Sequence, residues 1–152
     1  MVERSVVHAT FVVERVYDAP PARAFAAWAT SEAKSRWFGG PNDKLTLDFK
    51  VGGRESSRGA APNGVIYSYD ALYQDIVPNE RIIYTYDMHL NEARISVSVA
   101  TVEFQKKGAG TRLVFTEQGA FLDGLDKPAD REHGTGELLN ALGAELKRQA
   151  AQ

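Results

Sequence analysis

Arg15-Val16-Tyr17-Asp18-Ala19-Pro20-Pro21, running on through Phe25 and Trp28 to Trp37-Phe38, decides the fold of this chain when it is joined to Asp48-Phe49-Lys50-Val51-Gly52-Gly53. Residues Ala9 to Tyr17 are dominated by β-branched and aromatic types, the composition of a strand. Pro20 and Pro21 end that strand and suit the first turn of a helix, where a missing N–H is no loss. Phe25 and Trp28 then share one helical face. Thr30 or Ser31 can cap a second short helix that closes near Trp37-Phe38-Gly39-Gly40. The order predicted is a strand, two short helices and a strand turn.

Working outward, residues 44 to 118 carry strand-length runs divided by turn chemistry at Gly52-Gly53, Pro62-Asn63-Gly64, Pro78-Asn79-Glu80, Asn91-Glu92 and Gly108-Ala109-Gly110, which predicts an antiparallel meander. Between Ile82 and Met88 the alternation is clean, with Ile82, Tyr84, Tyr86 and Met88 on one face. From Arg94 to Phe104 the apolar parity switches, because Ile95, Val97 and Val99 are odd while Val102 and Phe104 are even. A bulge or strong bend near Ala100 is the expectation. Arg54-Glu55-Ser56-Ser57-Arg58 is polar on both faces and reads as a solvated edge strand. The sharper alternative is that Arg54 or Glu55 projects into the cavity and pairs with a polar ligand.

The one long helical pattern starts near Asp126-Lys127-Pro128 and runs to about Gln149. Leu138, Leu139, Leu142 and Leu146 form its stripe, Thr135 and Arg131 extend it backwards, and His133 falls almost opposite. Gly134, Gly136 and Gly143 each cost about 1 kcal/mol relative to alanine inside a helix, so close approach of another backbone or space for a ligand is expected there. One helix cannot cover both faces of six or seven strands. The expected class is therefore α+β, with a strongly curved antiparallel sheet around the helix and the two short helices closing one end.

At 152 residues and 43% hydrophobic content, residues 1–152 fit one domain that buries about 70% of its unfolded surface. The net charge of −2 comes from interspersed residues, 18 basic and 20 acidic, which argues against nucleic-acid and membrane-surface partners. Cysteine is absent, removing disulfides and sulfur-ligated metals. Residues Met1 to Thr10 carry Glu3, Arg4 and His8 instead of an apolar signal core, and no run reaches the ~20 residues of a membrane span. A cytoplasmic protein, monomeric or a weak homodimer, is expected.

Several of these segments carry a resemblance. The Arg15…Ala19-Pro20-Pro21…Trp28 opening, Trp37-Phe38, Asp48-Phe49-Lys50-Val51-Gly52-Gly53, the run from Asp75 to Thr85 and Gly110-Thr111-Arg112-Leu113 are similar, in order, to the bacterial relatives of the activator of Hsp90 ATPase (the AHSA1-like family), within the START/Bet v 1-like (SRPBCC) superfamily. The resemblance implies a helix-grip fold, roughly seven strands gripping the C-terminal helix around a hydrophobic cavity. It implies no single function, because superfamily members include lipid binders and enzymes. The chain departs from one common pattern: Gly134-Thr135-Gly136 stands where a Gly-Trp pair often opens the last helix.

Five of the six tyrosines lie between Tyr67 and Tyr86. As a set they read as aromatic walls with hydroxyls for one polar group of a ligand, whereas any single one reads as a half-buried sheet residue. The expected ligand-binding residues are Tyr67, Tyr69, Tyr84, Tyr86, Met88 and Phe115 from the sheet, with Phe38 from the short helices. Leu138 and Leu142 complete the wall from the long helix, and Arg131 and Thr135 serve as polar anchors. Arg131 reads equally well as half of a salt bridge with Glu117 or Glu132. Trp37 reads as a hydrophobic plug, while Phe38, in Trp37-Phe38-Gly39-Gly40-Pro41, is open between plug and mobile lid. Three unclustered histidines make a metal site unexpected, and no cofactor motif is present. No Gly-x-Ser-x-Gly turn occurs, and catalytic residues are unassigned. The leading expectation is a domain that binds a small hydrophobic or amphipathic molecule. The alternative is a cyclase- or hydrolase-type enzyme using the same cavity, in which a buried carboxylate (Asp70, Glu103 or Glu117) or His133 moves a proton. Behind it stands a chaperone-ATPase modulator, which would require an exposed apolar patch.

Overall fold

A computed structural model describes residues 3–40 and 42–151 of the chain. Pro41, part of the candidate lid segment, lies outside the described residues. The elements run β1 (Val6–Tyr17), α1 (Pro21–Ala26), α2 (Ser31–Ser35), β2 (Lys44–Leu47), β3 (Arg54–Ala60), β4 (Ile66–Val77), β5 (Arg81–Leu90), β6 (Ala93–Lys107), β7 (Gly110–Leu122) and α3 (Pro128–Ala150). The strands form one antiparallel sheet in the order β1-β7-β6-β5-β4-β3-β2. Every neighbouring pair but β1·β7 is consecutive in the chain. The curved sheet, the two short helices and the long C-terminal helix constitute the helix-grip fold.

Local chemistry accounts for the helix ends. Pro21 occupies the first turn of α1 behind Pro20, and the Thr30 hydroxyl caps α2 by accepting from the Ala33 N–H. In α3, Pro128 again takes the first turn, so the helix starts at the proline of the Asp126-Lys127-Pro128 run. β1 begins at Val6, three residues before the run that predicted it. The extension comes from pairing with β7, where Val6 faces Leu122, and from the Asp123 N–H donating to Ser5 O just beyond.

Two further expectations need correction. The parity switch in β6 involves no bulge at Ala100, because the register with β5 and β7 is unbroken from Ser96 to Glu103. The inward face stays even throughout, as Ser96, Ser98, Ala100, Val102 and Phe104, all buried, while Val97 and Val99 are exposed on the outside. Two inward serines, Ser96 and Ser98, interrupt the apolar pattern of that face and produce the parity switch. The register shift lies instead between Met88 and His89 of β5, opposite Ile95. Likewise β3 is no edge strand, since β2 pairs with it on one side and β4 on the other. Glu55 and Ser57 are buried and Arg54 and Arg58 exposed; Glu55 turns inward only to pair with Lys34, and neither it nor Arg54 projects into the pocket between the sheet and α3.

α3 lies across the concave face and buries Thr135, Leu139, Leu142 and Leu146 against sheet residues such as Phe11, Val13, Val102, Leu113 and Phe115. Each fully buried large apolar side chain contributes roughly 1.5–3 kcal/mol. Gly143 permits a close approach: a Cβ there would stand 3.0 Å from the Tyr17 ring, and the Tyr17 hydroxyl donates to Leu139 O at 2.7 Å. β1 and the helix backbone are thus clamped together. At one end of the sheet, Phe25 packs edge-on against Phe49 and Phe104. Trp37 packs edge-on against Trp28 with ring centroids 4.7 Å apart and donates to Ala27 O, which makes Trp37 a buried plug.

Candidate functional site

Between the sheet and the first turns of α3 lies a pocket of about 290 Å³, partly open to solvent. Its sheet wall is built from Tyr67, Tyr69, Tyr84, Tyr86, Met88 and Phe115. These side chains converge because β4 and β5 pair with Tyr69 opposite Met88 and Tyr73 opposite Tyr84, so the odd residues of one strand and the even residues of the other face inward together. The helix wall is Arg131, Gly134, Thr135, Leu138 and Leu139. Trp28, Trp37, Phe38 and Gly39 close one end. Phe38 stands edge-on to both Trp37 and Tyr69, an interlocked position at the pocket's end. Nothing occupies the space where a Gly134 Cβ would project.

One wall contains a buried polar network. Glu117 of β7 is fully buried and accepts hydrogen bonds from the Tyr86 hydroxyl and from Ser98 Oγ. Arg131 donates through Nη1 to the Tyr86 hydroxyl oxygen and to Glu117 at 3.3 Å, and through Nη2 to Ser96 Oγ and Asp126 at 2.7 Å. Its guanidinium also lies over the Phe121 ring. Burial works against the Arg131 charge, but Tyr86, Glu117 and Asp126 outweigh it and hold its pKa above the ordinary value. The Tyr86 phenol is raised, first by burial and then by the Glu117 charge.

Behind the pocket's end is a second network. Lys34 of α2 and Glu55 of β3 form an ion pair at 2.6 Å, with both side chains fully shielded from solvent. The Tyr73 hydroxyl donates to the same Glu55 oxygen. The Lys34 ammonium is also surrounded by aromatic rings, 4.5 Å from the Phe38 centroid, 5.2 Å from Trp28, 5.7 Å from Tyr84 and 6.0 Å from Tyr69. All four rings line the pocket, so they form a partition between it and the ion pair. Burial pushes the Lys34 pKa down, and Glu55 opposes that push without cancelling it. Three buried polar atoms in this region have no hydrogen-bond partner: Trp28 Nε1, Glu55 Oε2 and the Tyr69 hydroxyl.

Of the residues expected to meet here, only Leu142 is misplaced. It is fully buried in the core, and Leu139 reaches the pocket instead. The 100° step per residue gives a face but not the depth along the helix at which that face meets the sheet. His133 points to solvent and pairs with Glu137. The residues missed are Lys34, Ser96, Ser98, Asp43 and Asp126. Lys34 sits in the short polar run Ser31-Glu32-Ala33-Lys34-Ser35, where a surface lysine is the ordinary reading. The readable signal was the even parity of Ser96 and Ser98 with Val102 and Phe104.

The profile of the family described as "Activator of Hsp90 ATPase homolog 1-like protein" matches residues 18–147. The chain belongs to this family. Among solved structures of similar chains is an uncharacterised protein from Rhizobium leguminosarum, 47% identical, with a TM-score of 0.92 over 96% of this chain and 99% of that one. The Mll3558 protein from Rhizobium loti is 46% identical, with a TM-score of 0.88 over 93% of this chain and 99% of that one. Protein CV1439 from Chromobacterium violaceum, 24% identical with a TM-score of 0.75 over 89% of this chain and 94% of that one, shares the fold. No curated protein matches the chain. Within this member of the Hsp90-activator-like family, no helix among the described residues is long and apolar enough to cross a membrane.

Proposed function

We propose that the chain binds a small, largely apolar molecule in the pocket between the sheet and α3. The observation that carries this reading is the pocket's lining, in which aromatic rings, Met88 and two leucines dominate while a few polar atoms converge at fixed positions, the usual composition of a ligand site. At about 290 Å³ the space lies at the lower end of the ~300–1,000 Å³ common for such sites, which favours a compact ligand.

The electrostatics favour binding over proton transfer. Lys34, the buried cation whose pKa is lowered, is sealed behind four rings and committed to Glu55. Arg131, which does line the pocket, is held in its charged form and is a poor acid or base. Control of a chaperone ATPase, suggested by the family name, would call for a contiguous apolar surface. On the outer sheet face the exposed Val97 and Val99 neighbour each other on β6 but are flanked by Thr85, Asp87 and Gln118, and Val12 stands apart from them beyond Thr116, which argues against such a patch.

Native mass spectrometry of gently purified protein, followed by denaturing extraction, tests the proposal. Release of a discrete small molecule, lost in a Leu138→Trp variant that fills the pocket, is the expected result. A clean apo mass together with failure of any apolar probe to bind would overturn it.

A further inference from the structure

A second groove, of about 540 Å³, runs between the end of β1, Arg23 of α1 and the C-terminal half of α3. On the helix it is lined by Asn140, Gly143, Ala144 and Lys147, which recur at i, i+3, i+4 and i+7 and so share one face. Val16, Ala144 and Ala150 give it exposed apolar surface. Only Leu139 lines both this groove and the tyrosine-walled pocket.

The groove's charges set it apart from the rest of the molecule. Arg15, Arg23 and Lys147 line it against the single carboxylate of Asp18. Every other arginine except Arg54 pairs with a carboxylate, whereas Arg15, Arg23 and Lys147 have no such partner among the described residues. The two arginines are held by uncharged oxygens instead. Arg15 donates to Asn140 Oδ1 at 2.8 Å, to Glu14 O and to Gly136 O at 3.3 Å, and Arg23 donates to Leu146 O at 2.8 Å. These bonds orient both half-buried guanidinium groups without neutralising them. Arg23 commits only Nη2, so the rest of its donor fork is unspent, and Lys147 follows its acceptor in the chain. A fork fixed by neutral acceptors is ready to meet a carboxylate or phosphate with parallel N–H bonds.

We infer that this groove is a second binding site, which takes small organic anions. The apolar body lies against Val16 and Ala144, a carboxylate or phosphate group is held by Arg23 and Lys147, and Arg15 adds positive field at the other end. The anchors of the two arginines, Asn140 and Leu146, stand about 9 Å apart along the helix axis, a span that suits a bicyclic body with one charged substituent. This site is independent of the ligand reading above, because its charged residues are absent from the other pocket.

Equilibrium dialysis of the full chain at low ionic strength against 1-naphthyl phosphate, 1-naphthol and inorganic phosphate tests it, since the first combines the apolar body of the second with the charge of the third. The expected result is 1-naphthyl phosphate bound at least about tenfold more tightly than either of the others, with an affinity that falls as added salt shortens the Debye length. Lys147→Gln, at an exposed position, and Arg23→Gln, checked by its thermal midpoint, should each weaken that binding about fivefold or more. Leu138→Trp should leave it unchanged. Binding no tighter than that of inorganic phosphate would mean an adventitious ion only, and binding no tighter than that of 1-naphthol would mean that the cations do nothing; either overturns the ligand class. An affinity that both glutamine variants leave intact, or that Leu138→Trp abolishes, overturns the site. None of these results decides the other pocket, whose own test is release of a small molecule that the Leu138→Trp variant no longer carries.

Discussion

Lys34 of α2 and Glu55 of β3 meet at 2.6 Å with neither side chain exposed to solvent. The pair joins a five-residue helix to an interior strand, and the four rings around the ammonium are themselves part of the pocket's wall. The shape of that wall therefore depends on a charge that solvent never reaches.

Removing one partner should be severe. Lys34→Met strands the Glu55 carboxylate in the interior and is expected to cost about 3–5 kcal/mol. The double variant Lys34→Met/Glu55→Gln removes the stranded charge, keeps an acceptor for Tyr73, and should recover a large part of the loss. Urea unfolding of the three proteins measures both effects. A single variant as stable as the parent would show that the pair adds nothing.

The Arg131–Glu117 pair should be more forgiving. In Arg131→Met, Glu117 retains its donors Tyr86 and Ser98, and Asp126 is 19% exposed and can rehydrate. The expected loss is about 1.5–3 kcal/mol, the range for hydrogen bonds to charged groups, and smaller than that of Lys34→Met in the same urea series. The reverse ranking would contradict this account of the two networks.

Alkaline pH should unfold the protein steeply. Burial raises Tyr17, Tyr69, Tyr73, Tyr84 and Tyr86 above the ordinary phenol value of 10.0. Because the folded values exceed the unfolded ones, the tyrosine contribution to stability is fully present below about pH 10 and is lost as pH rises above it. Each phenol ionised only in the unfolded chain lowers stability by about 1.4 kcal/mol per pH unit. Absorbance at 295 nm should show tyrosinate appearing together with loss of circular dichroism. Ionisation of these five tyrosines well before unfolding would refute it.

The helix glycines should separate by what they face. Gly134→Ala meets nothing within 4 Å and should stabilise the protein by about 1 kcal/mol through helix propensity. Gly143→Ala gains the same propensity but presses a methyl to 3.0 Å from the Tyr17 ring, which is tethered by its bond to Leu139 O. It should be neutral or destabilising. Thermal melts of the two variants compare them directly, and equal gains would show that Tyr17 yields freely.

The strand, the paired prolines, the turn residues and the leucine stripe made the architecture legible, because each reports a local backbone preference or a face. The clean alternation of Ile82, Tyr84, Tyr86 and Met88 likewise pointed to the side of β5 that lines the pocket. What was hardest to read was burial that contradicts residue type, signalled only by parity at Ser96 and Ser98. Lys34, Glu55, Ser96, Ser98 and Glu117 are all buried, and a lysine or serine taken alone is assigned to solvent.

The sequence by itself determined the order of elements, the antiparallel meander, the inward face of α3 and the concentration of tyrosines on two adjacent strands, all properties of residues near one another in the chain. Only the tertiary structure decided that Glu55 finds Lys34 across 21 residues and that Arg131 finds Tyr86 across 45. It also left the Tyr69 hydroxyl without a partner. The physical reason is that a charge is stable in the interior only where distant elements bring its partner within bonding distance, and no local pattern of residues encodes that distance.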